Sequence, residues 1–222
     1  MGRAPVHQPE QRSAAGGSLR ERAVLALFPL STGAAVAVTI LFVPDSLLWP
    51  ALVLVAGTGL TAATMIWRMR PDARRALGRR ARTGLVAGVV ATLAYDAVRW
   101  LLVVATPWTV DPFAAFPIFG QLLLGTESTG PAVWTAGTLF HAANGLGFAV
   151  GYTVVIRRPG LVSAVAWALV LELFTILLYP DWLGVPKIGE LFSVSLLGHL
   201  AYGLALGLVA IRITGGGGWR HR

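Results

Sequence analysis

The stretch GLVAGVVATLAYDAVRWLLV, residues 84–103, decides how the chain is read. It is long enough to cross the ~30 Å hydrocarbon core of a bilayer as one helix. Two of its residues, Asp96 and Arg99, are ionisable. Immediately before it, RMRPDARRALGRRAR (68–82) carries seven arginines against one aspartate. An apolar run with an arginine-rich flank is the pattern of a membrane-spanning helix whose flank stays in the cytoplasm.

The rest of the chain follows that pattern. Of its 222 residues, 55% are hydrophobic and 13% charged, about half the charged share of an ordinary soluble domain, and mean hydropathy is +0.69. Hydropathy predicts an all-α, polytopic membrane protein with six transmembrane helices at about 23–43, 47–67, 83–105, 132–156, 161–179 and 191–213. Residues 1–22 read as a disordered basic cytoplasmic tail, 23–213 as a single membrane domain and 214–222 as a flexible cytoplasmic tail. The start also has some features of a signal peptide. However, its apolar run is long for one and ends in VPDS with no small-x-small site, which favours a retained anchor.

Charge orients the spans. RRPG (157–160) and the arginines at 212, 220 and 222 fall on the same side as 68–82. The loops 44–46, 106–131 and 180–190 hold acids and one basic residue, Lys187. Six spans thus place every arginine but Arg99 in the cytoplasm, with both termini inside. The net charge of +8 is accounted for by insertion and does not require nucleic acid. The 68–82 segment is suited to anionic lipid. The absence of cysteine excludes disulfides, thiolate metal ligands and cysteine nucleophiles. The loop 106–131 is too apolar and aromatic to be free, and an interfacial or re-entrant helix is expected over 113–124.

The spans contain a repeat. With Gly84 set on Gly160, Asp96 falls on Glu172; with His141 set on His199, LFHAANGL (139–146) falls on LGHLAYGL (197–204). Spans 3–4 and 5–6 are therefore two parallel-repeat helix pairs, each carrying a carboxylate and then a histidine, and spans 1–2 are a scaffold pair. Counting along each span puts Asp96, His141, Glu172 and His199 within about a turn of one depth, in the outer half of the membrane. Arg99, Asn144 and Tyr202 lie a turn away. In each span the polar and small residues recur every three or four positions, so one face points into the bundle.

Ionisable groups at that depth cost about 2.5–3.5 kcal/mol each on insertion scales, and three roles fit them. Two imidazoles and two carboxylates from four helices suit one or two divalent transition-metal ions, Zn, Mn or Fe, with Arg99, Asn144 and Tyr202 in support. Such a site would act on a lipophilic or small ligand, although no Glu-x-x-His or His-x-x-x-His spacing is present. A proton relay or proton-coupled carrier uses the same residue types, and six spans would then imply a homodimer. The groups would otherwise pair helices in a structural or accessory subunit. The last span, with GHLAYGLALG, resembles poorly characterised bacterial multi-pass inner-membrane proteins sharing His-x-x-Tyr-Gly-x-x-x-Gly. That resemblance implies a bacterial inner-membrane location and no activity.

Overall fold

A computed structural model describes residues 17–178 and 188–215. Within them lie seven α-helices: α1 (Leu19–Phe42), α2 (Leu48–Arg68), α3 (Pro71–Ala105), α4 (Ala115–Leu124), α5 (Pro131–Val155), α6 (Leu161–Leu178) and α7 (Ile188–Gly215). No strand occurs among the described residues. Asp181, Lys187 and most of the 180–190 loop, with residues 1–16 and 216–222, lie outside them.

Local chemistry sets the helix starts. Ser18 and Glu21 form a reciprocal capping box: the Glu21 N–H donates to Ser18 Oγ at 3.2 Å, and the Ser18 N–H donates to Glu21 Oε2 at 2.6 Å. That cap starts α1 at Leu19, inside the stretch the sequence assigns to a disordered tail. α3 starts at Pro71 and not at residue 83. Pro71 supplies a ready-made φ at the first helical position, and the alanines, leucine and arginines that follow are good helix formers. Arginine-rich composition therefore does not make this segment a loop. Gly130, at φ 82°, turns the chain into α5, which also opens on proline.

Among the described residues, five helices are long and apolar enough to cross a membrane: α1, α2, α3, α6 and α7. Their outward faces carry large apolar side chains, among them Val53, Leu60, Leu93, Val162 and Leu177. So much exposed hydrocarbon is what a lipid solvent requires. On α2, the hydroxyls of Thr58, Thr61 and Thr64 turn back onto carbonyls four residues earlier, which hides polar atoms from the surroundings. α5 matches the five in length, at 25 residues, but interrupts its apolar sequence with His141, Asn144 and several threonines and glycines. It packs against α1, α3 and α4.

The helices approach closely through small residues. Ala87 and Ala91 of α3, Ala149 of α5 and Ala164 and Ala168 of α6 are fully buried in one cluster with Tyr152, Tyr202 and Leu206. Glycines 84 and 88 lie on α5, and glycines 203 and 207 lie on α6. α3 packs along both α5 and α7, α6 packs on α7, and α2 packs on α1. The arginine-bearing starts of α1 and α3 meet the C-terminal end of α5 through Arg22 with the Val155 carbonyl and Arg80 with the Val154 carbonyl. The opposite end of the bundle is closed by α4. There the Leu47 N–H donates to the Leu122 carbonyl, and Glu190 accepts from the N–H groups of Thr109 and Val110.

Candidate functional site

Two histidine–carboxylate pairs lie in the α4 half of the bundle. In the first, the Nε2 of His141 on α5 is 3.1 Å from both oxygens of Asp96 on α3. Arg99, one turn along α3, brings Nη1 to 3.7 Å from the same carboxylate. In the second, the Nδ1 of His199 on α7 is 2.7 Å from Glu172 Oε2 on α6, and 3.0 Å from its own helix's Ser195 carbonyl. The Ser195 hydroxyl donates to that same Glu172 oxygen at 2.7 Å. An imidazole that gives its N–H to a carboxylate keeps the other ring nitrogen as a lone-pair acceptor. His141 is left with Nδ1 for a ligand and His199 with Nε2.

Tyr95 stands between the pairs. Its ring is 5.8 Å from that of His141 and meets His199 edge-on at 4.9 Å. The Arg99 guanidinium covers the Tyr95 ring at 4.8 Å, an arrangement in which the ring's negative face offsets part of the buried charge. Phe116 of α4 lies over His141 at 4.6 Å. The four ionisable residues are thus neighbours in two pairs rather than one cluster. Among the described residues, no group of three or more His, Cys, Asp or Glu is placed to hold a metal ion.

Both histidines face a cavity of about 120 Å³, of the order of the ~150 Å³ that accepts a benzene ring. Phe116, Phe119, Phe148, Leu171 and Phe192 give it apolar walls. Thr92, Arg99 and Asn144 also line it, and each has a buried polar atom without a partner: Thr92 Oγ1, Arg99 Nε and Asn144 Oδ1. Arg99 is 6% exposed and Asn144 9%. Buried polar atoms left without a partner are costly to the fold, and two of these sit in helix contacts beside the cavity, Thr92 Oγ1 against Gly145 and Asn144 Oδ1 toward Gly33. Glu172 Oε1, behind His199, is orphaned as well. Tyr202 also lines the cavity, and its hydroxyl donates to the Gly145 carbonyl at 2.6 Å, tying α7 to α5.

The lining can be set against the alignments of Gly84 with Gly160 and of His141 with His199. Tyr95 corresponds to Leu171, Arg99 to Thr175, Asn144 to Tyr202 and His141 to His199, and all eight line the cavity. Contacts correspond too. Gly145 lies against Thr92 as Gly203 lies against Ala168, the matching residues of the second pair. The likeness is local, because α3 packs at length on α7 whereas α6 meets α5 chiefly where Tyr152 touches Ser163 and Trp167. Sequence reasoning left out Tyr95 and Ser195 as site residues. Ser195 carries a readable signal, standing four residues before His199 on one helix face. Its counterpart in the first pair is Gly137, where a side chain would overlap the Phe116 carbonyl. Comparison of the chain with protein-family models, with curated proteins and with solved structures finds no match.

Proposed function

We propose that this chain is an integral membrane protein that binds a small amphiphile in the cavity below α4 and handles protons there through its two histidine–carboxylate pairs. The observation that carries the reading is that two histidines, each backed by a carboxylate, face one partly apolar cavity across Tyr95. A carboxylate behind an imidazole fixes its orientation and tautomer and so presents the far nitrogen as a proton acceptor. Arg99, which lines the cavity, is the group to take an anionic or hydrogen-bonding head. The phenylalanines take the apolar body.

In this reading α5 is the sixth span, the two helix pairs descend from a parallel repeat, and the arginine-rich end faces the cytoplasm. The cavity then lies in the outer half of a bacterial inner membrane, within reach of molecules partitioned into the outer leaflet. Proton transfer to the ligand and proton-coupled movement of the ligand use the same residues.

Three probes of about benzene size test it on the detergent-purified protein: benzoate, benzyl alcohol and benzylammonium, read by thermal shift between about pH 5.5 and 8, the range in which histidine titrates. Benzoate is expected to stabilise most and the ammonium least. The benzoate effect should depend on pH in the wild type and lose that dependence in the His141→Gln/His199→Gln variant. If no probe stabilises the protein, or the double variant keeps the full pH dependence, the reading is wrong. Stoichiometric Zn, Mn or Fe on elemental analysis, lost in the same variant, would instead make the histidines metal ligands.

A further inference from the structure

A second site lies at the opposite end of the bundle. Arg22 enters from the first turn of α1, Arg80 from α3, and Arg157 from the turn after α5. Arg22 is buried at 8% exposure; its Nη1 donates to the Val155 carbonyl at 2.7 Å. Arg80 Nη1 donates to the adjacent Val154 carbonyl at 3.4 Å, so the two guanidiniums converge on the last turn of one helix. Arg157 is exposed and close enough to repel both. The turn that carries it is held by the Tyr152 hydroxyl, which contacts the N–H and carbonyl of Gly160 and the Ser163 hydroxyl. Arg80 is further fixed by its own carbonyl, which accepts from the Thr153 hydroxyl at 2.9 Å.

The charges do not balance. The C-terminal end of α5 offers about half a negative charge against three guanidiniums. No carboxylate pairs with any of the three among the described residues. Glu21, next to Arg22, is spent on the Ser18 cap. Capping of α5 accounts for one donor each from Arg22 and Arg80 and for none of Arg157. Guanidinium forks meet phosphate oxygens in pairs, and two guanidiniums on the last turn of α5 with a third in the turn that follows suit a phosphate group.

We infer that Arg22, Arg80 and Arg157 form a binding site for a phosphate group, supplied by an anionic phospholipid headgroup or by a soluble phosphate. The site is independent of the cavity below α4. A lipid source fits the position, since the apolar faces of α1 and α6 begin within a turn of the arginines.

The test is thermal stability of the detergent-purified protein, with dioleoyl-phosphatidylglycerol, dioleoyl-phosphatidylcholine or inorganic phosphate added at matched ionic strength. Phosphatidylglycerol should raise the melting temperature by several degrees and phosphatidylcholine should not. Arg157→Gln should remove at least half of that rise. It makes no hydrogen bond within the described fold, so this variant folds. Arg22→Gln and Arg80→Gln should do the same, while Arg79→Gln and Arg82→Gln, exposed neighbours on α3, should leave the rise intact. A rise with inorganic phosphate that the same three variants remove would identify a soluble ligand as the source. An absent rise, or one lost equally in the Arg79 and Arg82 variants, would overturn the site and leave the arginines as helix caps in a general basic field.

Discussion

Asp96 holds two partners at once, His141 at 3.1 Å and Arg99 at 3.7 Å. Removing its charge leaves the Arg99 guanidinium buried without a carboxylate, and Arg99 Nε is already unpartnered. Loss of one member of a buried pair costs more than loss of both. Asp96→Asn is therefore expected to destabilise the protein by about 1–3 kcal/mol. Asp96→Asn with Arg99→Met should recover at least half of that loss. Chemical unfolding in mixed micelles, followed by helical signal, measures both. A single variant no worse than the double would mean that Asp96 does not hold Arg99. Glu172 differs in having a hydroxyl, Ser195, as its second partner, so the two pairs are not copies in their chemistry.

At the scale of the element, α4 depends on glycine. Gly137 of α5 lies under the Phe116 carbonyl, and Gly120 of α4 lies under the Val133 carbonyl. A methyl at either position has no room, and the adjoining backbone cannot yield as a flexible side chain would. Gly137→Ala should push α4 away from α5 and uncover His141 by moving Phe116. Amide exchange is expected to rise at least tenfold across residues 115–124 while the α3–α7 amides stay protected. Unchanged exchange over α4 would show that the contact does not hold it. The sequence shows much of this layout and misses some of it. Equal depth along four apolar runs is visible as spacing, which is why Asp96 and His141, and Glu172 and His199, are recognisable as neighbours. Tyr95 is not visible as a bridge, because an aromatic residue beside an acid looks the same whether it faces lipid or a neighbouring helix. The helical start of α3 is hidden for another reason: hydropathy registers only the apolar part of a helix, and residues 71–82 extend beyond it.

For the whole molecule, the segregation of charge is what organises the fold. Every arginine in the described helices and turns except Arg99 lies toward the end where α1 and α3 begin and α5 ends, and α4 with its acidic and aromatic surroundings closes the other end. A membrane potential and an anionic inner leaflet both favour keeping the basic end in the cytoplasm. In the proposed orientation the cavity faces outward beneath α4. The chain has no cysteine, so single cysteines report position without a background. Gly78, with open space around it on α3, and Glu127, exposed in the turn after α4, mark the two ends. In intact cells a membrane-impermeant maleimide should label Glu127→Cys at once and Gly78→Cys only after permeabilisation. The reverse pattern would invert the protein and put the two histidine–carboxylate pairs on the cytoplasmic side. Labelling of both from outside would mean that an even number of spans separates the two positions. Since α3 lies between them in the chain and α4 packs on α5 without crossing, one crossing is expected, and equal labelling from outside would require residues 71–82 to leave the cytoplasm with their five arginines.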